Sequence, residues 1–141
     1  MWPDTFEQRL AAWNSLRSST SSLPLDQCLT QINSWWQSAP WRAYHLHWDD
    51  RQTWPDPWQV LSDNIYCDLA KGLGILYTIT MLDRADCQDA VLVETDQGNL
   101  VQVHGEKYIL NCGAEVCVNT SHPQTKSQNQ IAQCDIKLQL Y

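Results

Sequence analysis

Apolar residues recur three and four apart through much of the first half of the chain, which is the period of a helix packed on one side. Phe6, Leu10, Trp13 and Leu16 share a face, so residues 4–17 are expected to form a first helix. Asp4 is placed to N-cap it, with Glu7 three residues on completing a capping box. The polar run 18–22 reads as a linker. A second helix is expected to begin near Pro24, because proline suits a first turn that leaves its missing N–H without consequence. Leu25, Cys28, Leu29, Ile32, Trp35 and Trp36 give its apolar face, and Ala39-Pro40 ends it. Residues 41–57 read as an irregular or extended arm. Within it Trp41, Ala43, His45 and His47 alternate with Arg42, Tyr44, Leu46 and Trp48, as in a short strand. Pro55 and Pro57 force turns, and Pro57 opens a short helical turn through Leu61.

Asp63 is expected to N-cap a third helix, with Ile65, Leu69, Leu73 and Leu76 on one face and the small residues Cys67, Ala70 and Gly74 on a second. The apolar stretch 75–82 fits either continuation of this helix or a buried strand, and helix is the preferred reading. From Ala90 onward the period changes to that of strands. Residues 90–95, 100–104 and 107–110 make a meander, with 96–98 and 105–106 as turns, and 116–119 offers a fourth strand. Residues 120–130 are polar and without period, as in a loop. In the last stretch Ala132, Cys134, Ile136, Leu138 and Leu140 alternate with polar residues, which reads as a terminal strand on a tether, free to pair with its own sheet or another's edge. The expected fold is α+β: N-terminal helices packed on a small antiparallel sheet. Residues 1–119 form one domain, and 120–141 form the polar tether and terminal strand.

A length of 141 residues suits one core. The net charge of −7, nine basic residues against sixteen acidic, disfavours nucleic acid and anionic membrane as partners. No apolar run approaches the roughly 20 residues needed to span a bilayer. The N-terminus lacks a basic and an apolar region, so a reduced cytoplasmic setting is expected at synthesis. Six cysteines are then mostly small buried hydrophobes, and their spacing forms no zinc pattern. The eight tryptophans change the picture more. Six lie between residues 35 and 58, more indole than a small core fully buries, and tryptophan concentrates at protein interfaces. The interface is therefore expected at Trp35, Trp36, Trp41, Trp48 and Trp54, with Ile136 and Leu138 of the terminal strand.

Two constellations carry possible chemistry. A cysteine near a helix N-terminus, with a histidine on a following strand and an Asp or Asn to orient it, is the arrangement of a thiol nucleophile. Cys67 with His104 and Asn111 is that candidate set. His104 stands one strand late for the base, and with Asp63 as the cap Cys67 lies about a turn inside the helix, where a packed thiol is expected. In a strand His45, His47 and Asp49 share a face and could hold a transition metal, but no fourth ligand is evident. Asp49-Asp50 point to opposite sides if extended, which suits a glycosidase pair poorly. The Trp-rich arm could also serve as a sugar-stacking platform. No phosphate-binding glycine loop and no serine-nucleophile motif occurs. No cofactor, no metal and no catalytic residue is expected.

The segments Pro57-Trp58-Gln59-Val60-Leu61 and Tyr66-Cys67-Asp68-Leu69-Ala70 resemble the entry to the cysteine-bearing helix of transglutaminase-like and papain-like hydrolases. That family places histidine where Asp89 or Ala90 stands, so the resemblance implies the fold without a complete catalytic site. Trp35-Trp36-Gln37-Ser38-Ala39-Pro40, the block 50–78, and the strand segment 105–111 also resemble small proteins encoded by T4-like and cyanobacterial myophages. This likeness covers about half the chain. It implies a virion component made in the host cytoplasm: a structural protein of the tail, neck or baseplate, contacting other virion proteins in a symmetric, multi-copy assembly.

Overall fold

The first helix, α1 (Phe6–Thr20), is capped by Thr5 rather than Asp4. Thr5 Oγ1 accepts the Gln8 N–H at 3.1 Å, and Gln8 Oε1 accepts the Thr5 N–H at 3.4 Å. Ahead of the box the carbonyls of Pro3 and Asp4 accept from the buried Arg9 guanidinium, which also donates to Leu61 O at 2.6 Å. Helix α1 runs on through the expected linker to Thr20, whose hydroxyl donates to Leu16 O at 2.7 Å. Helix α2 (Leu25–Gln37) follows the sequence pattern, with Cys28, Leu29, Ile32 and Trp36 buried. These elements belong to a computed structural model that describes residues 2–43, 46–95, 98–105, 107–113, 117–118 and 125–140, with the backbone alone for 117–118, 125–128 and 137–140.

The arm is not a strand where it is described. A short 3₁₀ segment, Trp48–Thr53, leads through Pro55 to α3 (Pro57–Asp63), capped by Asp56 and ended by Asn64 in the left-handed region at φ 54°. Tyr44 and His45 lie outside the described residues. Helix α4 (Asp68–Leu82) begins at Cys67, not at Asp63, and continues through 75–82 as the preferred reading had it. Asp63 instead closes α3. Residues Leu69 to Thr80 of α4 are buried without interruption, so its glycines sit against neighbours. A Cβ at Gly74 would stand 2.6 Å from the Trp36 ring, and one at Gly72 2.6 Å from Leu92 Cδ1.

The sheet is antiparallel, in the order β4-β3-β2-β1-β5, built from β1 (Val91–Thr95), β2 (Gly98–Val103), β3 (Tyr108–Leu110), β4 (Cys117–Val118) and β5 (Thr125–Ala132). The α+β class therefore holds: helices at the N-terminal side, then a small antiparallel sheet. Its C-terminal part differs from expectation. Residues 125–130, expected as part of a loop, lie in β5, paired along β1, while 120–124 of that loop lie outside the described residues; the expected terminal strand is helix α5 (Gln133–Leu140). The Asp135 carboxylate accepts the Ala132 N–H at 3.0 Å and closes the first turn of α5. Gln133 fixes the junction, accepting the Ala90 N–H at 2.7 Å and donating to Cys87 O at 3.2 Å.

The core is centred on α4, between α2 on one side and the sheet on the other. Thr78 is its polar node: Oγ1 accepts both Trp13 Nε1–H at 2.8 Å and Trp36 Nε1–H at 3.0 Å, and donates to Gly74 O at 2.7 Å. Two large indoles are thus buried with their donors satisfied. Among the described residues no helix is long and apolar enough to cross a membrane.

Candidate functional site

Where α4 begins, the chain leaves an open cleft of about 640 Å³. The arm supplies one wall, with Trp41, Leu46, His47, Trp48 and Asp49. The other wall is Cys67, Asp68 and Leu69 of α4, with Glu94 of β1, Asn99 of β2 and Asn129 of β5. The arm is held in place by its backbone: the Arg42 N–H donates to Tyr66 O at 2.9 Å, and Trp41 forms an isolated bridge with Tyr66. Trp48 is anchored by its Nε1–H, which donates to Asn99 Oδ1 at 2.6 Å, and by an edge-on contact with Trp54 at 5.2 Å.

The inner part of the cleft is a hydrogen-bonded cluster. Asp68 accepts from the Asn99 backbone and side chain at 2.5 and 3.2 Å and from Asn111 Nδ2 at 3.3 Å. Asn111 also donates to Asp68 O at 2.9 Å and Asn99 O at 2.7 Å, and accepts from Gln37 Nε2 at 2.6 Å. Burial raises the Asp68 carboxyl above its ordinary value, while the Asn99 N–H groups and the nearby Lys71 ammonium oppose that rise. Desolvation lowers Lys71 in turn, with Asp68 opposing.

Cys67 is the N-cap of α4: its Sγ accepts the Ala70 N–H at 3.4 Å, and the residue is buried at the cleft wall. The expectation that it lies a turn inside the helix is therefore corrected, and the thiol meets the partial positive charge of a helix start. Its proposed partners divide. Asn111 is brought to the same end of α4, through Asp68. His104 is not. It follows the last residue of β2, at the end of the strand away from Asn99, and its Nε2 lies 2.6 Å from Asp86 O. Asp89, where the hydrolase pattern has histidine, is at that far end too, accepting the His104 N–H at 3.2 Å. The strand position facing the start of α4 is held by Asn99, whose amide does not take up a proton near neutrality. The set Cys67, His104 and Asn111 is thus not assembled as a triad. His47 lines the cleft, His45 lies outside the described residues, and no group of three metal-ligating side chains occurs among the described residues.

The expected interface residues also divide. Trp36, Trp48 and Ile136 belong to the chain's own core. They are covered because α2, the arm and α5 fold back on α4 and the sheet. Trp35 is partly covered, its ring 4.5 Å from Trp2 and 5.0 Å from Trp36, and Trp54 is partly buried, donating to His47 O at 2.8 Å. The Leu138 side chain lies outside those described. Among the described side chains of the expected group only Trp41 is broadly exposed, at 66%, and Trp58, outside that group, is 43% exposed. Trp58 follows the first residue of α3, Pro57, and its helical phase against buried Val60 and Leu61 was the available signal. Glu94 and Asn99 left none, because only the pairing of β1 with β2 brings them to the cleft. Comparison with known protein families, with curated proteins and with solved structures found no match to this chain.

Proposed function

We propose that this chain is an assembly protein, a structural component of a tailed-phage particle that acts through protein–protein contacts in the tail, neck or baseplate. The observation that carries the protein-binding part is Trp41, a large indole left 66% exposed at the edge of a cleft while the chain buries or partly covers most of its other tryptophans. Exposed indoles beside a concavity are costly to leave in water and are the commonest anchors of protein interfaces. The phage assignment rests on the sequence resemblance in the blocks 35–40, 50–78 and 105–111. Quantitative mass spectrometry of purified particles against lysate tests it. A fixed copy number, a multiple of three or six for a ring on the tail axis, is the expected result. Absence from particles together with abundance in infected cells overturns it.

A second reading is thiol chemistry at Cys67, favoured by its place as the α4 cap on the wall of a cleft. It requires His47, or a residue outside those described, as the base. Fast alkylation of Cys67 near neutral pH supports it, and an ordinary thiol rate removes it.

A further inference from the structure

We draw no further inference here: the strongest candidate, the open cleft between the arm and the start of α4 with Trp41 exposed at its rim, carries nothing, because its carboxylates Asp68 and Glu94 are already engaged within the chain and nothing in the structure shows what covers the exposed indole.

Discussion

Asp68 Oδ2 accepts the backbone N–H of Asn99 at 2.5 Å, so the first residue of α4 is bonded directly to the second residue of β2. The contact is close enough that a Cβ at the preceding Gly98, which sits at φ 119°, would lie 2.9 Å from the same oxygen. One carboxylate thereby sets the angle between the buried helix and the sheet, and with it the cleft between arm and strands. Asp68→Asn keeps the shape but replaces one of the two acceptor oxygens with an amide donor that faces N–H groups. A loss of about 1–3 kcal/mol in urea unfolding is expected, and an unchanged midpoint would show that the junction is held by packing instead.

The same residue has a pH signature. Burial raises its folded carboxyl above the unfolded value, so at pH values between the two the folded chain keeps a proton that the unfolded chain has released. This group's favourable contribution is complete below the unfolded value near pH 3.9 and is lost as pH rises through the folded value. Lowering pH from 7 toward 4 should therefore move the stability of the native chain upward relative to Asp68→Asn. Paired urea titrations at the two pH values decide it, and a shift in the opposite sense would contradict the raised carboxyl.

Thr78 carries two indole donors at once. Thr78→Val keeps the volume and removes the acceptor for both Trp13 and Trp36. Two buried N–H groups left unpaired should cost about 2–4 kcal/mol. A double-mutant cycle with Trp13→Phe, which removes one of the donors, should recover part of that loss.

Gly74→Ala drives a methyl to within 2.6 Å of the Trp36 ring, which has Tyr66 on one side and Trp35 on another. Overpacking of about 1–3 kcal/mol is expected, with altered Trp36 fluorescence. At Gly105 the new Cβ meets nothing within 4 Å, so Gly105→Ala reports only the strain of φ 68° and should cost about 1 kcal/mol. Similar losses at both sites would mean that Trp36 gives way easily.

Thiol accessibility should follow burial. Cys112 and Cys134 are exposed, whereas Cys28 and Cys87 are buried, and desolvation pushes the Cys87 thiol up to about 12. In the native state a maleimide should label Cys112 and Cys134 first, with Cys28 and Cys87 reacting only on unfolding. Mass spectrometry of a labelling time course gives the order.

Much of this architecture is legible in the sequence where one periodicity is unopposed. The 3–4 spacing from Leu25 to Trp36 gives α2 nearly to the residue, and the apolar run after Leu73 gives the buried half of α4. Where several polar residues compete to cap, the pattern is silent. Asp63, Asn64 and Cys67 can each start a helix, and the choice is made by Tyr66, whose buried hydroxyl donates to Val60 O and holds the link extended. The C-terminal region fails for another reason. Strand β5 is fixed by backbone pairing to the edge of β1, which polar side chains from Thr125 to Gln130 do not announce. The alternation after it also contains the i, i+4 series Ala132, Ile136, Leu140, which a helix uses equally well. The cleft was half legible: tryptophans and Cys67 stand out in the sequence, but Asp68, Glu94 and Asn99 meet only through strand register.

Strand β1 lies between β2 and β5, and its partner on the second side is made some thirty residues later in synthesis, at Thr125–Ala132. A nascent chain that has already formed α4 and the β1–β2 hairpin therefore carries an open, apolar strand edge until that segment emerges. In that interval two unfinished chains can pair through Val91, Leu92 and Val93 in place of β5. Slow translation across residues 96–124, or truncation ahead of Thr125, should thus favour swapped or aggregated chains over monomer, making the yield of assembled protein depend on the tempo of its own synthesis.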